Sequence, residues 1–323
     1  MHNIVKYGSI AVASLGLLAG CGLGDSSPPS TVSEGSLAEA ADLSGVKLGV
    51  GGKEFTEQLV LCEITAQALE STGAEVKRTC GLSGSSTVRS ALTSGDIDMY
   101  WEYTGTGWVT TLGQTKAISD PKKLYEAVAG LDKEKNQIEW LEPAPANNTY
   151  AVAASKEQAD ALGVKTLSDY AKLANDEPAK AGFCGAAEFF GRDDGWPGVE
   201  KTYGFKLPGG NIAELAAGAV YSSIDKAKPC PFGEVFATDG RIAALDLVVL
   251  EDDKKFFTAY NPAVSVRADV LEKNPAIADA LGPIAEALTD ETLQSLNAKV
   301  DVDGDTPEKT ANAWLVKEGF VGE

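Results

Sequence analysis

The sequence predicts an α/β protein with mainly parallel sheets, because short apolar strands alternate with amphipathic helices along most of the chain. The first strand, Val46–Gly52, is followed by apolar positions from Phe55 to Leu69 that recur at spacings of four and three, as on one face of a helix. A glycine ends this helix, and Ala74–Cys80 forms a second strand. The chain therefore opens with a β-α-β unit.

The same alternation continues toward the C-terminus. Serine or threonine caps and glycine stops predict where several later helices begin and end. The further predicted elements are a Ser-capped helix within 81–95, strands at 96–101 and 150–155, a capped helix at 166–174, a strand at 243–252 that returns toward the first half, and helices at 275–288 and 306–320.

The N-terminus predicts export and anchoring. Residues 1–20 have a short basic start and an apolar run, Ile10–Ala19, that is shorter than the about 20 residues needed to span a bilayer, as in a signal peptide. The letters LAGC, ending at Cys21, resemble the bacterial lipobox, in which the cysteine is lipidated. Residues 21–44 are polar and rich in Ser, Pro and Gly, so we expect a flexible tether. The alternative is a chance cysteine beside an ordinary cleavage site.

Charge and histidine content exclude several function classes. The formal net charge of −19 at pH 7 argues against a nucleic-acid partner, whose phosphates need a basic surface. The only histidine, His2, lies in the predicted leader, so the mature chain is expected to lack a His-based triad, dyad or metal site. An enzyme using Asp193 and Asp194 is the remaining catalytic alternative, but adjacent residues rarely converge on one atom. We therefore expect no enzyme, metal or cofactor.

The four cysteines after Cys21 suggest disulfides, because an even number in an exported chain is typical of a disulfide framework. Four cysteines permit three connectivities, and free buried thiols are the alternative. Their neighbourhood in the sequence favours Cys62–Cys80 and Cys184–Cys230, one pair in each half of the chain.

Six motifs, in this order along the chain, resemble one family: GGKEFTEQ, GDIDMYWEYTGTGW, NNTYAVA, EFFGRDDGWPG, FATDGRI and FFTAYNPAVSVRADVL. The family is that of the extracytoplasmic binding proteins of ABC importers for glycine betaine, choline and related osmoprotectants. The resemblance implies a type II periplasmic-binding-protein fold, in which two α/β lobes joined by two crossover strands close on a ligand. We expect lobe 1 at 45–148 plus 257–323 and lobe 2 at 149–256.

The resemblance also implies a cage of aromatic rings. A quaternary ammonium has no hydrogen-bond donor and is best held by ring faces, each worth about 0.5–2 kcal/mol through cation–π attraction. The matching positions are Tyr103, Tyr150 and Tyr260, with Phe236 where the family usually has Tyr. The neighbouring rings of the second motif, Tyr100, Trp101 and Trp108, are expected to pack around Tyr103.

The resemblance further implies a group of donors for a ligand carboxylate. These positions match Lys53, Thr106 and Arg192, of which the arginine offers a planar fork suited to a carboxylate. On this reading a betaine would be preferred to choline, because choline would leave two buried positive charges without a partner.

The predicted function is therefore that of a substrate-binding lipoprotein on the outer face of the cell membrane. It would capture a quaternary-ammonium osmoprotectant, such as glycine betaine, and deliver it as a monomer to the permease of an ABC importer. Two alternatives remain: a choline or carnitine binding protein of the same fold, and a ligand sensor without a transport role.

Overall fold

The computed structural model describes residues 32–116 and 118–323, so the predicted signal peptide, Cys21 and the first part of the tether lie outside the described residues. Within these ranges the chain forms ten strands in two mixed sheets. The strands are β1 (Lys47–Lys53), β2 (Glu75–Leu82), β3 (Met99–Tyr103), β4 (Ile138–Trp140), β5 (Tyr150–Ser155), β6 (Phe183–Gly185), β7 (Ile212–Glu214), β8 (Phe232–Phe236), β9 (Leu247–Val249) and β10 (Pro262–Arg267).

Helices cover the faces of both sheets. A π-helical turn, Gly107–Thr111, follows the fourth helix directly. The helices are α1 (Ser36–Ala40), α2 (Thr56–Ser71), α3 (Ser85–Ser94), α4 (Thr104–Thr106), α5 (Pro121–Asn136), α6 (Lys156–Leu162), α7 (Leu167–Asp176), α8 (Ala187–Gly191), α9 (Trp196–Tyr203), α10 (Ala217–Asp225), α11 (Arg241–Ala244), α12 (Ala268–Lys273), α13 (Ala276–Ala287), α14 (Asp290–Asp301) and α15 (Pro307–Lys317).

Each sheet contains one strand that arrives from the other half of the molecule. The first sheet has the order β2-β1-β3-β10-β4, and the second has the order β7-β6-β8-β5-β9. In the first, β10 runs antiparallel to β3, and in the second β5 runs antiparallel to β8. The chain passes between the sheets twice, after β4 and again after β9. The lobe boundaries at 148/149 and 256/257 stay a prediction.

The opening β-α-β unit forms as predicted. Helix α2 lies between the parallel strands β1 and β2 and buries Leu61, Ile64 and Leu69 completely. The disulfide Cys62–Cys80 joins this helix to β2. The second predicted disulfide, Cys184–Cys230, is also present and joins β6 to the start of β8. Both pairings favoured by the sequence are therefore confirmed.

The described part of the predicted tether, residues 32–44, differs from the expectation of a flexible segment. Leu37 and Leu43 are only 1% and 2% exposed and belong to the core of the first lobe. The backbone of Ser33 bridges to that of Gly322, and Ser36 N–H donates to the carbonyl of Gly319. Two buried leucines supply the apolar surface that the Ser- and Pro-rich composition had suggested was missing.

Two further elements differ from the sequence prediction. The predicted strand at 243–252 contributes only β9, which pairs with β5 at the edge of the second sheet. The return to the first half is made by the irregular segment 250–261 that follows it. Helix α3 is preceded by Gly84 rather than by a serine cap, so the Ser85 side chain is available for a contact across the cleft. None of the described helices is long and apolar enough to cross a membrane.

Candidate ligand-binding site between the two sheets

A cavity of about 620 Å³ lies between the two sheets, within the range of about 300–1,000 Å³ typical of small-molecule sites. Residues from both lobes line it. All seven residues that the family resemblance singled out are among them: Lys53, Tyr103, Thr106, Tyr150, Arg192, Phe236 and Tyr260.

Strand pairing explains why the four predicted rings meet. Tyr103 ends β3, and its partner in the antiparallel strand β10 is Pro262, two residues after Tyr260. Tyr150 begins β5 and pairs directly with Phe236, the last residue of β8. Because an antiparallel strand begins at the edge where its neighbour ends, each pair of rings lies at the cleft edge of its sheet.

A fifth ring, Phe55, completes the wall and was not predicted as a site residue. It stacks on Phe236 with ring centroids 5.1 Å apart and on Tyr103 with centroids 6.2 Å apart. Tyr150 in turn contacts Phe236 at 5.2 Å and Tyr260, edge to face, at 5.7 Å. The five rings therefore form a continuous series. The one signal in the sequence that could have identified Phe55 as a site residue is its position in the matched motif GGKEFTEQ. Its spacing from the later apolar residues instead indicated the buried face of a helix.

The hydroxyl groups of the first-lobe tyrosines bind to the protein. Tyr103 Oη donates to Glu57 Oε1 at 2.8 Å and accepts from Gln58 Nε2 at 3.1 Å. Tyr260 Oη donates to Asp194 Oδ2 at 2.7 Å. Burial, reinforced by the neighbouring carboxylates, raises the pKa of both tyrosines well above its usual range. Both rings are thus neutral and fixed in orientation.

Glu57 ties Tyr103 to both lobes. Besides Tyr103, its carboxylate accepts from Asn148 Nδ2 at 2.9 Å, from Asn297 Nδ2 at 3.0 Å and from the hydroxyl of Thr238. Thr238 follows β8 of the second sheet, whereas Glu57 lies on α2 of the first lobe. Burial raises the pKa of Glu57, and the four donors oppose this shift. The ring of Tyr103 is thus held by a group that contacts both sides of the cleft.

Arg192 is already paired within the protein. Its Nε and Nη2 donate to the two oxygens of Asp194 at 2.8 and 2.6 Å, and Nη1 donates to Glu188 at 2.9 Å. Nη2 also donates to Thr106 Oγ1 across the cleft at 3.2 Å. The guanidinium lies 5.3 Å from the ring centroid of Tyr150. Four of its five N–H groups are therefore used, and one on Nη1 remains.

Lys53 is paired as well. Its Nζ lies 2.7 Å from Glu102 Oε1 in a buried ion pair, and 5.2 Å from the ring centroid of Tyr103. Glu102 also accepts a hydrogen bond from Tyr100 Oη at 2.9 Å. The expectation that a ligand without a carboxylate would leave two buried cations unpaired therefore fails, because Glu102, Asp194 and Glu188 already compensate them.

Two carboxyl groups on the second-lobe wall were not predicted from the sequence. Glu188 accepts from Ser85 Oγ across the cleft at 2.6 Å. Burial by itself would raise the pKa of Glu188. The positive charges of Lys53 and Arg192 and the hydrogen bond from Ser85 outweigh this effect and hold the pKa below its ordinary value. Glu234 is 3% exposed and accepts from the Ala186 N–H at 2.7 Å. Burial raises the pKa of Glu234 to about 8.

No metal centre is formed within residues 32–116 and 118–323: no group of three or more His, Cys, Asp or Glu side chains is placed to hold an ion. The cavity is thus built from rings and paired charges, and its walls come from both lobes. Two mixed α/β sheets, two connections and a cleft cavity define a binding protein of the type II periplasmic fold.

Comparison with known proteins places the chain within that class. The family described as "Substrate binding domain of ABC-type glycine betaine transport system" matches residues 46–317, and the chain belongs to it. Proteins of this family are substrate-binding components of ABC transporters and are not enzymes. The protein is therefore an extracytoplasmic component of an importer, with a small-molecule ligand and a permease as partners.

Three relatives illustrate the similarity. The chain is 40% identical over 273 residues to the glycine-betaine-binding protein of Pseudomonas aeruginosa, covering 83% of this chain and 86% of that one. It is 36% identical over 277 residues to the glycine betaine-binding protein YehZ of Escherichia coli, covering 84% and 90%. A solved structure described as that of a glycine betaine/carnitine/choline ABC transporter is 27% identical, with a TM-score of 0.68 and coverage of 85% of this chain and 98% of that one.

Proposed function

We propose that the protein captures a quaternary-ammonium osmoprotectant, glycine betaine first among them, and delivers it to its permease. The observation that carries this proposal is the series of five rings around one cavity: Phe55, Tyr103, Tyr150, Phe236 and Tyr260. A diffuse cation without hydrogen-bond donors is attracted to ring faces. The names of two relatives, which bind glycine betaine, support the same ligand.

The rings also couple ligand binding to closure of the cleft. Phe236 belongs to the second sheet, whereas Phe55 and Tyr103 belong to the first lobe. A cation held by rings of both lobes binds the closed arrangement better than the open one, and that difference in affinity shifts the protein toward closure. We assign this movement to lobe 1, 45–148 with 257–323, and lobe 2, 149–256.

The ligand carboxylate would be met by donors that the internal pairs leave free. Lys53 Nζ has three N–H groups and uses one on Glu102. Arg192 keeps one N–H on Nη1, and Thr106, which accepts from Arg192, keeps its own O–H for a ligand. These three groups recognise a carboxylate by hydrogen bonds rather than by uncompensated charge. Choline is therefore a second candidate, because its binding leaves no cation unpaired.

Calorimetry with glycine betaine, proline betaine, carnitine and choline tests the proposal. We expect saturable binding of at least one betaine by the wild type and a loss of at least tenfold in Tyr150→Ala, which removes a ring in contact with two other rings of the cavity series, Phe236 and Tyr260. The control Tyr125→Ala removes a half-buried tyrosine that bonds to the Trp140 carbonyl outside the cavity. Absence of binding by the whole panel would overturn the proposal.

We also propose that the mature protein is a monomer anchored by lipid on Cys21, a residue outside the described ranges. The LAGC motif and the apolar run before it support the lipid anchor. Mass spectrometry of the membrane fraction should find a diacylglyceryl group on Cys21 after cleavage at residue 20. An unmodified N-terminus at or after Cys21 would contradict the anchor.

A further inference from the structure

Glu234 is a buried carboxyl group that the proposed ligand contacts leave unused. It lies in the middle of β8 and lines the cavity. Its Oε2 accepts from the Ala186 N–H at 2.7 Å, and within the described chain Oε1 has no hydrogen-bond partner. Because Oε1 is not sealed in the protein interior, it faces the cavity as an acceptor that a ligand can reach.

The strand fixes the distance between Glu234 and the cage. Side chains two residues apart point to the same face of a strand, so Glu234 and Phe236 share one face of β8. With a rise of about 3.3 Å per residue, the two side chains start about 7 Å apart along the strand. Val152, which pairs with Glu234, is likewise two residues from Tyr150 on β5. If the ligand's cation is held between Tyr150 and Phe236, a short substituent on that cation can therefore reach Glu234.

The charges around Glu234 determine which chemical group the substituent can carry. Glu188 lies on the same wall and carries a negative charge, while Arg192 is already paired with Asp194 and Glu188. A second carboxylate brought to Glu234 would be repelled by Glu188. A hydroxyl or N–H group, in contrast, can donate to Oε1 of the ionised Glu234, the form that a ligand cation held nearby favours.

We propose that Glu234 accepts a hydrogen bond from a donor group on the ligand's substituent, so that the site prefers quaternary ammonium compounds that carry a hydroxyl or N–H group. This inference rests on the proposed function, since the rings must hold the cation for Glu234 to meet the substituent. It adds a specificity-determining residue on β8, two residues before the ring of Phe236.

Matched ligand pairs test this on the wild type by calorimetry. Choline and its O-methyl ether differ by one donor, and carnitine and γ-butyrobetaine differ by one hydroxyl. We expect the donor-bearing member of each pair to bind about tenfold more tightly, as for a hydrogen bond to a buried carboxyl group. Equal binding within both pairs would overturn the inference while leaving the proposed function intact. If none of these ligands nor glycine betaine binds, the proposed function itself fails.

The variant Glu234→Gln separates hydrogen bonding from the bulk of the added methyl group. The Ala186 N–H requires an acceptor, so the amide oxygen of Gln is expected to face Ala186 and its NH₂ group to face the ligand. In this variant the two members of each ligand pair should bind with about equal affinity, so that the ratio of their dissociation constants falls to about one. Glu214→Gln, an exposed position on the cavity rim, should leave both ratios unchanged. A ratio that survives Glu234→Gln would show steric rejection and overturn the inference; thermal unfolding confirms that each variant folds.

Discussion

Phe55 and Phe236 stack across the cleft with their ring centroids 5.1 Å apart and their planes inclined by only 15°. The first residue precedes α2 of the first lobe, and the second ends β8 of the second sheet. One wall of the cavity is thus formed jointly by the two lobes, and it exists only while they are closed. Phe55 was not among the cage residues that the family resemblance implied. A variant at Phe55 therefore tests the cage independently of that resemblance.

Phe55→Ala should weaken binding of every quaternary ammonium ligand by about tenfold, because one ring face of about 0.5–2 kcal/mol is removed and the cleft loses an inter-lobe contact. Calorimetry with glycine betaine measures the effect. Phe320→Ala is the matched control, since Phe320 packs on Trp314 with centroids 5.6 Å apart, away from the cavity. An affinity unchanged in Phe55→Ala would remove Phe55 from the cage.

Phe236→Tyr should preserve binding, because a tyrosine offers the same ring face as phenylalanine. Phe236 is only partly buried, so the added hydroxyl can reach solvent or the cavity without loss of packing. We expect the dissociation constant for glycine betaine to change by less than about threefold, which corresponds to roughly 0.7 kcal/mol. A loss of tenfold or more would show that the apolar edge of Phe236 contacts the ligand.

Arg192→Ala should lower the free energy of unfolding by about 3–5 kcal/mol, because it leaves Asp194 buried without its cation. Denaturant unfolding measures this. Arg78→Ala is the control: Arg78 is 33% exposed in its side chain, pairs with Glu63 and Glu70, and should cost about 0–1 kcal/mol. Equal costs in the two variants would contradict the buried network.

Glu234 should make the unliganded protein less stable as the pH rises. Its pKa is raised to about 8 in the folded state, so its contribution is present below the unfolded value near 4.5 and is lost as the pH passes through 8. The wild type should lose stability relative to Glu234→Gln across this window, by up to about 1.4 kcal/mol per pH unit. Glu188 and Arg192, which face Glu234, remain in both proteins. A difference independent of pH would contradict the assignment.

Removing either disulfide should destabilise the protein, and the longer loop should matter more. Cys62–Cys80 spans 18 residues and Cys184–Cys230 spans 46, which correspond to about 3 and about 4 kcal/mol in the chain-entropy model. Paired Cys→Ser variants measured by denaturant unfolding test the order. Unchanged stability after loss of Cys184–Cys230 would contradict it.

Sequence predicted the parts of the site that depend on local pattern. The strand that begins at Tyr150 was predicted from its apolar run, and a strand was predicted at 96–101, just before Tyr103, whereas the strand that ends at Phe236 was not predicted. The motif order supplied the rings themselves. The disulfide pairings followed from neighbourhood along the chain. The strand at Tyr150 depends on its own residues, and Cys62–Cys80 joins two consecutive elements.

The parts that sequence did not predict depend on residues far apart in the chain. Lys53 meets Glu102 over 49 positions within the first sheet, and Arg192 meets Thr106 over 86 positions across the cleft, so neither pair is visible before the chain has folded. Glu234 interrupts an apolar strand without any motif around it. The packing of Leu37 against the core likewise requires a surface built by the C-terminal helices.

The central claim is that the five rings bind a quaternary ammonium through its charge. Calorimetry of the wild type with glycine betaine and with its uncharged-headed isostere, 3,3-dimethylbutanoate, tests this most directly, because the two differ only in nitrogen against carbon. Cation–π attraction to several rings predicts binding of glycine betaine at least tenfold tighter, about 1.4 kcal/mol or more. Equal affinity for the two compounds would contradict the cage.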